Sequence, residues 1–119
     1  MIYTSYFAKY KGENGISIAR YSPKWWNGDV YKDLAPNDDL LFWWKSLSKI
    51  QQSNIEYINM YMMSYINNIL NKLDVHKVAK DLDGKVLLCY EKPNDFCHRH
   101  IIREWFNHNG YACEEWIGD

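Results

Sequence analysis

Between Lys85 and Glu91 the residues Val86, Leu87 and Leu88 follow one another with no polar side chain among them. A strand with one wet face alternates apolar and polar residues. An unbroken apolar run between turn residues suits a strand covered on both faces, the usual state of parallel sheets. Asp83-Gly84 turns the chain into this strand and Lys92-Pro93-Asn94-Asp95 forms a loop out of it. A helix is expected from about Phe96 to His108, closed by Asn109-Gly110, and a last short strand over 111–117.

The remainder of the chain supplies the other layers of such a fold. Ile2 to Ala8, rich in aromatic and β-branched residues, predicts a first strand, and Ile16 to Arg20 a second that Ser22-Pro23 stops. Residues 23–37 hold all three prolines but one, together with Gly28 and Trp25-Trp26, and are expected to form a long aromatic loop. Asp38 or Asp39 caps a helix to about Ile50, with Leu40, Trp43, Trp44 and Leu47 inward. Ser53 or Asn54 starts a longer one whose Ile55, Ile58, Met62, Ile66, Ile69 and Leu73 keep the 3.6-residue period. Met60, Met62 and Met63 are expected as core filler. Asp74 caps a short helix to Leu82. Strand, helices, buried strand, helix, strand predicts an α/β chain, a single three-layer Rossmann-like domain over residues 1–119 with a small, mainly parallel sheet flanked by helices.

Composition narrows the partners. A formal charge of −1 excludes the strongly basic balance of a general DNA-coating protein, so nucleic acid is not favoured as a partner. No apolar stretch is long enough to span a bilayer, and no membrane partner is expected. MIYTSYFAKYKG has none of the regions of a signal peptide. The three cysteines, Cys89, Cys97 and Cys113, form no CxxC pair, which makes a disulfide framework or a zinc ribbon a poor reading and reduced thiols in a cytoplasm the simplest one (the host's, were the gene viral). Nothing in the composition sets the oligomeric state. Eleven lysines stand against three arginines, as an AT-rich genome encodes, so Arg20, Arg99 and Arg103 are the cations for which lysine did not serve. Arginine offers a planar fork of donors; Arg20 and Arg99 are therefore either anion binders or structural ion-pair partners.

The chemistry is concentrated in Cys89-Tyr90-Glu91 and Cys97-His98-Arg99. On a helical wheel Ile101, Ile102, Trp105 and Phe106 share an arc that faces the sheet. His98 lies in the middle of it, Cys97 and Arg99 flank it, and His100, Arg103 and Glu104 take the outer face. A helix start attracts anions and favours thiolate. Cys97 is thus a candidate nucleophile with His98 as its base and Glu91 as a further catalytic group. Against this, consecutive helical residues diverge by about 100°. The same groups alternatively form a binding site, with Arg99 on a phosphate and Glu91 orienting a ribose or base. Cys89 reads as a small buried residue, and a core His98 bonded to Glu91 is the plain alternative. The spacing of Cys89, Cys97 and a histidine matches no standard zinc pattern, and no metal is assigned. No GxGxxG or Walker A pattern occurs, so no cofactor is assigned either.

The segment LLCYEKPNDFCHRHIIREW resembles the C-terminal signature of the family called domain of unknown function 488, in which Cys-x-Glu and a short loop precede a Cys-His-Arg that opens a helix. IYTSYFAK, ISIARYSPKWWNG and YKDLAP resemble its N-terminal half. The resemblance implies a Rossmann-like fold and a site of Cys89, Glu91, Cys97, His98 and Arg99, with Arg20 and the Trp25-Trp26 loop nearby. It implies no settled activity.

Three functions fit. One is a module that binds a small nucleotide-like ligand through Arg20, Trp25, Trp26, Cys89, Glu91, His98 and Arg99, as a sequestering protein does. Another is an enzyme acting on a nucleotide or nucleic-acid component through Cys97, His98 and Glu91. The third is a protein-interaction domain using exposed tryptophans. The binding module is the leading expectation.

Overall fold

A computed structural model describes residues 1–92 and 94–118; Pro93, in the expected 92–95 loop, lies outside them. Five strands form one all-parallel sheet: β1 (Ile2–Tyr6), β2 (Gly15–Ser17), β3 (Asp29–Val30), β4 (Val86–Cys89) and β5 (Cys113–Glu115), in the order β3-β2-β4-β1-β5. β4 sits at the centre, and all four of its residues are buried. Its register sets Tyr6 of β1 opposite Cys89, and Ser17 of β2 opposite Leu88. The ends of these strands therefore share one edge.

The helices are α1 (Asp38–Ser46), α2 (Lys49–Gln52), α3 (Ile55–Asn68), α4 (Val75–Leu82) and α5 (His98–His108). Leu40, Trp44, Tyr61, Tyr65, Val78, Leu82, Ile102 and Phe106 from the longer four join Ile2, Ile16, Ile18 and Leu87 of the sheet in the main core. On the other face the third layer is built by aromatic side chains. Phe7, Tyr10, Trp26 and Trp116 pack on Tyr3, Val86 and Leu88. Both faces of β4 are thus dry, which is the physical reason its sequence cannot alternate. This is a Rossmann-like three-layer α/β arrangement. Among the described residues no helix is long and apolar enough to cross a membrane.

Several boundaries differ from expectation. β2 stops at Ser17, although Ile18 still donates to Leu88 O at 3.0 Å. The 23–37 segment contains the edge strand β3 and a 3-10 turn at Lys32–Leu34. The expected helix to Ile50 is two helices. Ser48 starts α2 with a capping box, its hydroxyl accepting from Gln51 N while the Gln51 side chain accepts from Ser48 N; these satisfied amides hold the break. The cap of α1 is Asn37, one residue before the aspartates, which fall in the first turn.

In α3 the buried residues are Tyr61 and Tyr65; Ile55 is exposed, and so are Met60 and Met63, leaving only Met62 packed on the core. The Tyr65 hydroxyl donates to Leu34 O at 2.5 Å, which removes the cost of burying it.

Candidate functional site

β4 delivers Cys89 to the carboxyl edge of the sheet, and the next turn returns the chain to α5. The helix starts at His98, two residues later than expected, so Cys97 is its N-cap in an extended conformation. That displacement removes the helical divergence between Cys97 and His98: Cys97 Sγ and His98 Nδ1 approach to 3.6 Å. Cys97 Sγ is paired with Cys89 Sγ as a disulfide, which corrects the expectation of reduced thiols throughout, and Cys113 is free and buried. The Cα atoms of the pair stand 7.4 Å apart.

His98 is buried, and its Nε2 bonds Ile18 O at 2.9 Å rather than Glu91. Only a protonated Nε2 can donate to a carbonyl, so Nδ1 carries the lone pair that faces the Cys97 sulfur. Burial pushes the His98 imidazole down from 6.5 to about 4, which leaves the ring neutral at physiological pH. Burial likewise pushes the half-buried Glu91 carboxyl above the usual carboxylate range.

Arg99 is completely buried. Its Nε and Nη2 meet Glu115 Oε1 and Oε2, and its Nη1 donates to Glu91 O at 2.5 Å and to Cys89 Sγ at 2.9 Å. The guanidinium fork is thus filled by the protein. Arg99 does not line the cavity at this edge and stands behind the Cys89 sulfur, holding it; the expectation of a ligand phosphate on Arg99 finds no free edge here. Once the Cys89–Cys97 pair is reduced, a cationic donor on sulfur favours the thiolate form of Cys89.

A cavity of about 360 Å³ opens at this edge. Cys89, Glu91, Cys97 and His98 line it together with Arg20, Tyr21, Trp44, Lys45, Tyr61, Tyr90 and Phe96. Arg20 Nε donates to Asp38 Oδ1 at 3.0 Å and the Tyr21 hydroxyl donates to the same oxygen at 2.7 Å, an arrangement that holds the Asp38 carboxyl below its usual range. Arg20 lines the cavity, and it is its Nε that Asp38 engages.

Trp25 and Trp26 do not reach the cavity. Trp26 packs on Phe7 in the aromatic layer and donates to Asp29 O, while Trp25 is 60% exposed with Lys11 Nζ over its ring at 5.0 Å. The aromatic walls come instead from α1 and α3, whose Trp44 reads in sequence as core and whose Tyr61 lies beside the expected apolar period, and from Tyr21 and Phe96 in loops. A ring that closes a core and a ring that lines a pocket leave the same helical periodicity, so no sequence signal separates them. Glu115 had no signal either, since its partner lies 16 residues away across the β5 edge.

The family model described as the active DUF488-N3 subclade matches residues 7–110. No curated protein and no solved structure matches the chain.

Proposed function

This chain belongs to the domain of unknown function 488 family, and from that premise we propose that it binds a small nucleotide-like anion at the carboxyl edge of β2 and β4. The observation that carries the reading is the mixed lining of the cavity. Tyr21, Trp44, Tyr61 and Phe96 offer flat apolar surface for a base, and Arg20 and Lys45 offer cations for a phosphate. Its volume lies within the roughly 300–1,000 Å³ of small-molecule sites. Its position, beyond the carboxyl ends of parallel strands, is where open α/β sheets take ligands. Titration calorimetry against nucleoside mono- and diphosphates, in parallel with Trp44 fluorescence in a chain whose other tryptophans are conservatively replaced, tests it. Saturable binding that Arg20→Gln weakens supports the reading. No heat and no fluorescence change with any nucleotide at millimolar concentration rejects it.

One contact favours a second reading, an enzyme that uses a thiolate when the Cys89–Cys97 pair is reduced. Arg99 Nη1 on Cys89 Sγ at 2.9 Å makes Cys89, rather than Cys97, the better candidate nucleophile, and the matched subclade carries the description active. Neutral His98 then serves Cys97 as a proton acceptor at 3.6 Å. Nucleotide consumption that survives Cys97→Ser and disappears in Cys89→Ser would establish it.

A further inference from the structure

Cys89, Cys97 and Glu91 bring two sulfurs, here paired with each other, and a carboxylate to a single point, their donor atoms all within 4.8 Å of one another. Such a set has two uses, a bond between the sulfurs or a shared cation. The backbone separates them. Relaxed disulfides span roughly 4.4–6.8 Å between Cα atoms and resist bridging beyond about 7 Å. Here the Cα atoms are 7.4 Å apart, so a relaxed bond requires the backbone to close in. A metal between the sulfurs leaves the backbone where it is and requires only that the two side chains part, because two thiolates on one zinc, each at about 2.3 Å, stand further apart than the bonded sulfurs seen here.

Two neighbours, His98 and Arg99, suit such a site. The His98 Nδ1 lone pair faces Cys97 Sγ at 3.6 Å and offers a way out for the proton that a Cys97 thiol loses on coordination. Its Nε2–H is held on Ile18 O, which fixes the ring. Arg99 donates to Cys89 Sγ, opposing the surplus negative charge that two thiolates and a carboxylate leave around a divalent ion.

We infer that Cys89, Cys97 and Glu91 bind one divalent, thiolate-preferring cation, zinc foremost, with the remaining coordination position open to the cavity. All three side chains line that cavity, and three protein ligands with an open position is the arrangement of zinc sites that act on a bound molecule. A thiol reductant first opens the Cys89–Cys97 bond, two reductant thiols becoming a disulfide as the pair becomes two thiols; on metal binding the two thiol protons then leave to solvent and both sulfurs coordinate as thiolates. The inference rests on the proposed ligand pocket only for what occupies the open position, an anionic group of the ligand.

The test uses the full untagged chain, isolated without chelator and then stripped and reduced under anaerobic conditions. Elemental analysis of the isolated chain is expected to give one zinc per chain. Cobalt(II) added to the stripped chain is expected to give a near-ultraviolet thiolate-to-cobalt charge-transfer band together with visible bands of tetrahedral intensity. Cys89→Ser and Cys97→Ser should each reduce the charge-transfer intensity by about half, two sulfurs falling to one, with cobalt affinity lowered roughly tenfold or more. Cys113→Ser should change neither, and Glu91→Gln should weaken affinity while keeping the charge-transfer band. The cobalt spectrum needs no nucleotide, so a chain that binds cobalt but no nucleotide overturns the function proposed above and leaves the metal site standing. A metal-free chain with no charge-transfer band on cobalt addition overturns the metal site. So does a mass lower by two hydrogens that locates a Cys89–Cys97 bond in the chain as isolated, with no zinc.

Discussion

Arg99 and Glu115 meet edge to edge, Nε to Oε1 at 3.2 Å and Nη2 to Oε2 at 3.0 Å, joining the start of α5 to the edge strand β5 behind the thiol of Cys89. The Thr4 hydroxyl donates to the same carboxylate at 2.6 Å. Although burial alone would raise the Glu115 carboxyl, these donors and the Arg99 charge hold it below its usual range.

Removing one member of that pair leaves the other charge buried. Glu115→Ala is expected to destabilise the fold by about 3–5 kcal/mol, since Arg99 has no solvent to turn to. Glu115→Gln, which keeps one acceptor, should cost less, and Thr4→Val roughly 1 kcal/mol, the net worth of one hydrogen bond. Urea denaturation of the three variants checks the order; an unaltered Glu115→Ala midpoint would contradict the pairing.

The thiolate assigned to Cys89 has a separate readout. In a chain carrying Cys97→Ser and Cys113→Ser, Arg99→Lys should slow iodoacetamide modification at neutral pH, because the single ammonium cannot hold Glu115 and reach the sulfur together. Cys113 itself should remain unmodified in the native protein, its thiol pushed up to about 12 by burial. Rapid native alkylation of Cys113 would contradict its placement.

The two tryptophans of the 23–37 segment should behave differently from each other and from Trp44. Trp26 closes the aromatic layer over Phe7, and Trp26→Ala should cost roughly 2–4 kcal/mol. Trp25, mostly exposed, should change stability by less than about 1 kcal/mol when replaced by alanine. Neither lines the cavity, so neither should alter nucleotide affinity. Phe replacing Trp44, which does line it, should lower affinity with modest loss of stability. Calorimetry and thermal melts on the three variants separate these roles.

How far the sequence reaches follows from what each signal depends on. The run Val86-Leu87-Leu88 specified a strand buried on both faces, and the wheel of α5 placed Ile101, Ile102 and Phe106 in the core, because both are local patterns. The cluster of Cys89, Glu91, Cys97 and His98 was legible because those residues are neighbours in the chain. The placement of the helix start was not. One residue of extended backbone at Cys97 decides whether its sulfur meets His98, and composition carries no trace of a single φ,ψ pair. Arg99 shows the converse limit: its survival in a lysine-rich chain marked it as special, but whether its fork served a ligand or Glu115 depended on a contact across the sheet.

His98 contributes to the acid limb of stability. Its folded value of about 4 lies below the 6.5 of the free side chain, so between those values the unfolded chain binds the proton that the folded one refuses. The stability contributed by neutral His98 is therefore complete above about pH 6.5 and is lost as pH falls toward 4, on the order of 3 kcal/mol across the window. His100, also lowered chiefly by burial, adds to the same limb. Asn in place of His98 presents a donor to Ile18 O that does not titrate. The expected result is a chain less stable at pH 7 whose stability changes much less between pH 6.5 and 4.5. Urea midpoints measured at half-unit steps through that range give the slope, and His98→Asn with an undiminished slope would assign the acid limb to other groups.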